Sequence, residues 1–233
     1  MTDDTDTTAD GSTTTDSPSD DTDPVEPQPI TPAAPESFGR VQVWWGDGKG
    51  KTTAAMGMGL RAAGHGYRVH LLQFMKGGAA SVEDVRGEYN AIAALPGFSY
   101  ENSGHYGWHG SLDGTQETDH AARADAGLDR ARELLAAAAD GDPTTPTPLD
   151  APPEAGVHML VLDEVLYAAN RDLIDPADVV GLIEDKPPEL ELVLTGGHEE
   201  PTYATSEADL VTNVAKRRHH FDEGGRARKG TEF

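Results

Sequence analysis

The chain has no cysteine among its 233 residues. This absence excludes disulfide bridges, thiolate metal sites and cysteine nucleophiles, and it suits a reducing compartment, so we expect a cytoplasmic protein. No stretch approaches the roughly 18 apolar residues of a membrane span, and no charged segment followed by an apolar one marks a signal peptide. The sequence therefore predicts neither a membrane-spanning segment nor an export signal.

Positive charge is also scarce, with 18 Lys and Arg residues against 41 Asp and Glu residues and a net charge of −23. Residues 1–36 hold ten of the acids and no Lys or Arg, which leaves −13 on the other 197 residues. Two interpretations remain: a surface that repels nucleic acid and anionic membranes, or a carboxylate-rich surface that stays hydrated at high salt. We favour the second, halophilic interpretation, and we expect neither nucleic acid nor a membrane as a partner.

Apolar residues make up only 36% of the chain, and the mean hydropathy is −0.53. Part of the chain is therefore not expected to enter a core. Residues 1–36, rich in Asp, Thr and Pro, are expected to form a disordered acidic tail. Residues 37–233 are expected to form a single domain, in which the Pro-rich segment 140–156 is a surface insertion.

Strand-like and helix-like segments alternate through this domain. Apolar runs predict strands at 40–45, 67–75, 98–101, 157–164 and 191–196, and helices are predicted at 52–66, 81–95, 117–139 and 175–186. The alternation predicts an α/β fold with a doubly wound, mostly parallel sheet covered on both faces. Functional residues are expected at the carboxyl ends of its strands.

The stretch GDGKGKTT, residues 46–53, lies between the first predicted strand and helix. Its glycines let backbone N–H groups converge on a polyphosphate, and the helix N-terminus favours negative charge. The spacing is one residue short of the standard phosphate loop, since three residues separate Gly46 from Gly50 and Trp45 takes the place of the first glycine. The context still predicts a nucleotide-binding loop.

Individual roles follow from the order of residues in this loop. Lys51 is expected to contact phosphate oxygens, and the hydroxyl of Thr52 is expected to reach a magnesium ion. Thr53 is expected mainly to pack in the helix. The full set assigned to the nucleotide is Gly46, Asp47, Gly48, Lys49, Gly50, Lys51, Thr52 and Thr53.

A second motif, LVLDE, ends an apolar strand with Asp163 and Glu164. An acid at the end of a buried strand can hold Mg²⁺ directly or through water. The alternative is that these are ordinary strand-end acids in an acidic protein. Together with the loop, the motif favours a Mg²⁺ site formed by Thr52, Asp163 and Glu164, and which carboxylate binds the ion stays open.

Other polar or aromatic candidates give weaker signals. The histidines His105, His109 and His120 match no standard zinc spacing, so we interpret them as loop or surface residues. Trp108 is either a stacking platform for a flat ligand or a core residue. The basic C-terminal cluster is either a short nucleic-acid tail or a contact for a polyphosphate or carboxylate ligand at the mouth of the site; it comprises Lys216, Arg217, Arg218, Arg226, Arg228 and Lys229.

Taken together, the motifs from about Arg40 to Phe233 resemble the P-loop type of ATP:corrinoid adenosyltransferases. The resemblance depends on the order of eight pieces, of which no single one is decisive. They are GDGKGKTTAA (46–55), QFMKG (73–77), GE (87–88), Trp108, LDEVLYA (162–168), LTG (194–196), ADLVT (208–212) and HHFDEGGRARKGTEF (219–233).

The resemblance implies a single P-loop NTPase-like domain of the RecA-like type and a reaction unlike that of most NTPases. A reduced Co(I) corrinoid attacks the ribose C5′ of ATP, which forms a cobalt–carbon bond and releases the whole triphosphate. The corrinoid would be cob(I)alamin or cob(I)yrinic acid a,c-diamide, in adenosylcobalamin biosynthesis or salvage. The family also implies Mg²⁺, an electron-donating reductase and a possible homodimer.

The resemblance also implies roles for particular residues. Lys51, Thr52 and Glu164, with Lys49 and Asp163 beside them, would stabilise the triphosphate as it becomes a leaving group. Because the nucleophile belongs to the corrinoid, no catalytic base is required. Trp108 would face the corrin and help remove the lower cobalt ligand.

One residue departs from the family pattern, because Gly197 follows the TG of the LTG motif where the family usually has arginine. Two rival functions use the same loop and acids. One is a P-loop ATPase or kinase, which would release ADP, and the other is a non-catalytic ATP-binding module. The tryptophan loop and the FDEGGRARKG ending favour the transferase.

Overall fold

The computed structural model describes residues 26–75, 87–104 and 117–231. Within these residues the chain forms a sheet of six strands in the order β3-β2-β4-β5-β1-β6, and every neighbouring pair is parallel. The strands are β1 (Val41–Trp45), β2 (Val69–Gln73), β3 (Phe98–Asn102), β4 (Met159–Asp163), β5 (Glu191–Thr195) and β6 (Leu210–Asn213).

Helices connect these strands and cover both faces of the sheet. They are α1 (Lys51–Gly64), α2 (Gly87–Ala94), α3 (Glu117–Asp140), α4 (Val165–Asn170), α5 (Pro176–Glu184) and α6 (Thr202–Thr205). Short 3₁₀ turns occur at Pro153–Ala155 and His220–Glu223. No helix in the described part of the chain is long and apolar enough to span a membrane.

The apolar sequences of the central strands explain why the sheet is covered on both sides. Every residue of β2, β4 and β5 is buried, as expected for strands of a parallel sheet. Successive residues of a strand point to opposite faces. Leu160 and Leu162 therefore join the core beneath α3, α4 and α5, whereas Met159 and Val161 join the core beneath α1. The predicted doubly wound α/β fold is confirmed, and all of its strand pairs are parallel.

The structure adds elements that the sequence did not predict. Strand β6 was missed because it is an edge strand whose Leu210 and Val211 are about half exposed, at 49% and 46%, so it lacks a buried apolar pattern. Helix α4 was missed because it begins directly after β4, without a loop. In the predicted helix 81–95, only Gly87–Ala94 lies in the described residues and is helical.

Residues that precede the predicted domain boundary at residue 37 also contact the domain. The backbone N–H of Ala33 donates to the carbonyl of Gly66 at 3.0 Å, and Pro35 is buried. A side chain at Gly66 would place its Cβ 1.8 Å from the carbonyl oxygen of Thr31. The chain therefore packs against the domain before residue 37, while residues 1–25 lie outside the described residues.

The Pro-rich segment 140–156 contains no strand and no helix apart from one 3₁₀ turn. It is held to the domain by its own backbone carbonyls. Pro148 accepts a hydrogen bond from the guanidinium of the buried Arg68 at 2.7 Å, and Leu149 accepts one from the N–H of Gly97 at 3.2 Å. The segment therefore forms a fixed surface connection between α3 and β4.

Candidate functional site

The glycine loop joins β1 to α1 at the carboxyl edge of the sheet. Gly46 and Gly50 have φ angles of 122° and 112°, in a region that residues other than glycine rarely adopt. The N–H of Gly46 donates to the carbonyl of Gly197 at 3.0 Å, and the N–H of Gly48 donates to that of Val214 at 2.7 Å. Two of the loop's N–H groups are thus already used within the protein.

The chain that follows β6 also approaches this loop closely. A Cβ added to Gly46 or Gly48 would lie 2.5 or 2.6 Å from the carbonyl oxygen of Val214. These glycines are therefore required for packing. A phosphate can still accept from the first N–H groups of α1, which have no acceptor within the helix, and from Lys51.

Lys51, the first residue of α1, lies inside the curve of the loop. Its ammonium donates to the carbonyls of Gly46 at 2.6 Å and Gly48 at 3.0 Å. Burial lowers the pKa of Lys51, while the charges of Glu164 and Asp163 act in the opposite direction. The cation is thus held at the centre of the loop, where a phosphate oxygen would compete with the two carbonyls.

Asp163, the last residue of β4, is fully buried, and its carboxylate accepts hydrogen bonds from three side chains of the described residues. Its Oδ1 accepts from the hydroxyl of Thr52 at 2.8 Å and from that of Thr195 at 2.6 Å. Its Oδ2 accepts from the side-chain amide of Gln73 at 2.9 Å. The carboxylate therefore joins α1 to the ends of β2, β4 and β5.

Glu164 follows in a left-handed backbone conformation, with φ of 63°, which is uncommon for a residue other than glycine. Its N–H donates to Thr195 Oγ1 at 3.1 Å, so the Thr195 hydroxyl holds both acids of the motif. A Cβ at Gly196 would lie 3.0 Å from the Glu164 Cα and 2.8 Å from the Tyr167 nitrogen. The sharp turn at Glu164 thus depends on a glycine at the end of β5.

The remaining predicted loop residues lie at the surface. Asp47 Oδ1 accepts from the N–H of Lys216 at 2.8 Å, and this bond lowers the pKa of Asp47. The ammonium of Lys49 lies 5.4 Å from the centre of the Phe221 ring. Thr53 is exposed, so the expectation that it packs in the helix is wrong.

The candidates outside the loop are only partly described. Trp108, His105 and His109 lie outside the described residues, and His120 is half-buried at the start of α3. The basic C-terminal cluster begins beside the loop at Lys216 and is exposed throughout. Its first lysine also pairs with Asp222 at 3.1 Å.

The donor set at the loop fits Mg²⁺. Thr52, Asp163 and Glu164 offer only oxygen atoms, which Mg²⁺ prefers. Within the described ranges, no group of three or more His, Asp or Glu residues could hold a metal ion. A site with so few protein ligands suits an ion that takes its other ligands from water and substrate phosphates, as Mg²⁺ usually does.

Three residues that organise the site were not assigned a role from the sequence. Thr195 and Gln73 hold Asp163, and Tyr89 donates to Gln73 Oε1 at 2.5 Å. A signal was present for the first two, since each is a polar residue that ends a buried apolar strand. For Tyr89, on α2, we find no comparable signal.

A glycine loop between a parallel strand and a helix, with a buried lysine inside it and a strand-end acid bound to the next hydroxyl, defines a P-loop-type α/β protein. β5 lies between the strand that carries the loop and the strand that carries the acids.

The sequence model of the family described as "ATP:corrinoid adenosyltransferase BtuR/CobO/CobP" matches residues 37–233. The chain belongs to this family, which is a family of transferases.

Named relatives agree with this membership. The chain is 32% identical over 201 residues to the corrinoid adenosyltransferase of Pseudomonas aeruginosa, covering 86% of each chain. It is 29% identical over 207 residues to the corrinoid adenosyltransferase CobA of Salmonella typhimurium and 28% identical over 207 residues to the Escherichia coli K12 protein, in both cases covering 86% of this chain and 88% of the relative. Among solved structures, ATPases 2 and 3 of EssC from Geobacillus thermodenitrificans align with a TM-score of 0.39 at 12% identity, over 82% of this chain and 40% of that one.

Proposed function

We propose that the protein transfers the 5′-deoxyadenosyl group of ATP to the Co(I) ion of a reduced corrinoid. The cobalt electron pair forms the new bond to C5′, the C5′–oxygen bond breaks, and the triphosphate leaves with that bonding pair. The observation that carries the proposal is the arrangement of the loop, in which Lys51 lies inside the curve and the Thr52 hydroxyl donates to Asp163. The chain with this arrangement belongs to the corrinoid adenosyltransferase family.

In this reaction the loop holds a leaving group. The charge that develops on the departing triphosphate would be stabilised by the ammonium groups of Lys51 and Lys49 and by the first N–H groups of α1. The buried position of Lys51 supports its role, because a fixed cation in a water-poor site stabilises charge more than one in solvent. The shortened loop suits this task, since no γ-phosphate has to be presented for transfer.

Mg²⁺ would be held by Thr52 together with Asp163 or Glu164 and by phosphate oxygens. The ion would supply positive charge that weakens the bond to the leaving triphosphate. Asp163 supports this arrangement because its Oδ1 accepts a hydrogen bond from the Thr52 hydroxyl, which orients the lone pairs of that hydroxyl away from the carboxylate.

The corrinoid brings the nucleophile, so the protein has to position it and exclude water. Trp108 is proposed to face the corrin and to help remove the lower cobalt ligand. An electron donor, a reductase, would supply the Co(I) state. The corrinoid is proposed to be cob(I)alamin or cob(I)yrinic acid a,c-diamide.

We further propose that the enzyme acts in the cytoplasm, at high salt, and as a homodimer. The absence of cysteine and the net charge of −23 support the first two. Family membership is the support for the third.

The test is to incubate the protein with MgATP and chemically reduced cobalamin in the dark. We expect a corrinoid product with a light-sensitive cobalt–carbon bond, formed only when ATP and protein are both present. ATP hydrolysis that is independent of the corrinoid would instead indicate an ATPase, and ATP binding without turnover would indicate a binding module.

A further inference from the structure

A row of buried polar side chains leads from α2 to the acid at the end of β4. Tyr89, Gln73 and Asp163 are 2%, 0% and 0% exposed. The hydroxyl of Tyr89 donates to Gln73 Oε1 at 2.5 Å, and Gln73 Nε2 donates to Asp163 Oδ2 at 2.9 Å. The row thus connects an outer helix to the carboxylate that holds Thr52.

The direction of the Gln73 amide decides whether it supports Asp163. An amide can present either its oxygen or its nitrogen, which are nearly equal in size. If the amide were turned over, Gln73 Oε1 would face the carboxylate of Asp163, and two acceptors would be in contact in a buried place. The native direction is supported at both ends, because Asp163 Oδ2 accepts from Nε2 and the Tyr89 hydroxyl donates a hydrogen bond to Oε1.

The Tyr89 hydroxyl is itself held in place by its surroundings. Its ring stacks on that of Tyr100, with centres 4.5 Å apart and an angle of 5° between the planes. The hydroxyl also lies 3.3 Å from Asn102 Oδ1 at the end of β3. Since a hydroxyl has one proton and Gln73 Oε1 is closer, the hydrogen bond to Gln73 dominates.

We propose that Tyr89 is a positioning residue that acts through Gln73 to orient Asp163, and through it the Thr52 hydroxyl, for MgATP. The proposal rests on the ATP and Mg²⁺ part of the proposed function and is independent of the corrinoid. Its effect requires no contact with the nucleotide or the metal ion. It stabilises the amide direction in which Gln73 Nε2 meets the carboxylate.

The first test compares Tyr89→Phe with Tyr100→Phe. Both changes remove one hydroxyl from the same stacked pair, but the Tyr100 hydroxyl makes no hydrogen bond within the part of the chain that the structure describes. ATP binding is measured by calorimetry at a series of Mg²⁺ concentrations and again in excess chelator. For Tyr89→Phe we expect the Mg²⁺ concentration at half-maximal ATP binding to rise about 5-fold or more. The ATP affinity in chelator should be unchanged, and Tyr100→Phe should match the parent protein.

A second test asks whether Tyr89 acts through Gln73. Gln73→Met keeps the length of the side chain and removes both of its hydrogen bonds. In this background, adding Tyr89→Phe should cause no further change in Mg²⁺ dependence, because the amide that Tyr89 orients is gone. At saturating Mg²⁺, the ATP affinity of the Tyr89→Phe protein should approach that of the parent protein.

Three results would overturn the proposal. They are equal effects of Tyr89→Phe and Tyr100→Phe, a loss of ATP affinity that persists in chelator, and additive effects of Tyr89→Phe and Gln73→Met. If a Tyr89 variant does not fold, Gln73→Met is compared with the parent protein alone. An unchanged Mg²⁺ dependence of ATP binding in Gln73→Met would show that these hydrogen bonds do not position Asp163. Because the readout is ATP binding, it is separate from failure of the adenosyl transfer itself.

Discussion

Lys51 and His70 are both buried, and burial disfavours the charged form of each. Lys51 is compensated by two loop carbonyls and by the charges of Asp163 and Glu164, so it can serve as a cation for phosphate. For His70 the charge of Glu101 acts in this direction only in part, because that carboxylate lies 3.8 Å from Nε2, beyond hydrogen-bond distance. Its Nδ1 lies 2.9 Å from Ser99 Oγ, and its Nε2 has no hydrogen-bond partner among the described residues. Lys51 is thus suited to binding phosphate, whereas protonation of the buried His70 at low pH lowers the stability of the protein.

The change Lys51→Met should reduce kcat/KM for ATP by about 100-fold or more, because it removes the fixed cation at the centre of the phosphate loop. Lys49→Met, which alters an exposed lysine of the same loop, should have a smaller effect. Steady-state adenosylation rates at varied ATP concentration measure both. Equal losses in the two variants would mean that burial gives Lys51 no special role.

His70 should make the protein less stable as the pH falls. Burial lowers its pKa to about 4, against about 6.5 for an unfolded histidine. Protonation therefore favours the unfolded chain, and the stability from neutral His70 is complete above pH 6.5 and is lost as the pH falls toward 4. Between pH 7.5 and pH 5 the loss should be about 2 kcal/mol.

The measurement is urea unfolding of the parent protein and of His70→Gln at both pH values. The difference in unfolding free energy between the two proteins should change by that amount, because the effects of the carboxylates are common to both. His65→Gln, which changes an exposed histidine, serves as the control. A difference that stays constant with pH would contradict the burial argument.

Among helices and strands, the central strands and the glycine loop could be predicted from the sequence. The edge strand β6 and the partners of Asp163 could not. β4 and α1 were found because an apolar run and a glycine loop are local signals. Lys51, Thr52 and Asp163 were found for the same reason. Thr195 and Gln73 were missed as partners of Asp163, since they are 32 and 90 residues away and only the sheet order brings them together. β6 was missed because half-exposed edge residues carry no buried pattern.

The segment after β6 stabilises the glycine loop, a role that the sequence motifs did not predict. Asp47 accepts from Lys216 N–H, and Val214 accepts from Gly48 N–H, so the segment holds the loop from outside. Asp47→Ala should increase amide exchange in residues 212–222 about 5-fold, which corresponds to the loss of one hydrogen bond of about 1 kcal/mol. Hydrogen–deuterium exchange with mass spectrometry measures this rate.

The control for that experiment is Asp142→Ala. Asp142 is also an exposed carboxylate that accepts a backbone N–H, from Thr144 at 2.9 Å, but it lies in the connection between α3 and β4. The change Asp142→Ala should leave amide hydrogen exchange in residues 212–222 unchanged. If both variants changed that segment equally, the contact at Asp47 would have no specific role.

At the scale of the whole molecule, charge dominates. A net charge of −23 makes the carboxylates of the chain repel one another, and this repulsion opposes folding. Salt shortens the Debye length from about 10 Å at 0.1 M to about 3 Å at 1 M, which screens this repulsion. The same charge keeps the protein soluble.

Raising KCl from about 0.1 M to about 1 M should therefore increase the melting temperature by about 4 °C or more, if screening contributes about 1 to 2 kcal/mol. Circular dichroism at 222 nm follows the transition. Near pH 4.5, the isoelectric point of the sequence, the stabilisation by salt should become small. Equal stabilisation at both pH values would point to a general salt effect unrelated to net charge.

If the loop of residues 46–53 holds a leaving group, the three phosphates of ATP must leave together as one triphosphate. Phosphorus NMR of a reaction with MgATP and reduced cobalamin should show one intact triphosphate for each cobalt–carbon bond formed. ADP, free phosphate or pyrophosphate in that proportion would show cleavage within the phosphate chain and would contradict the account.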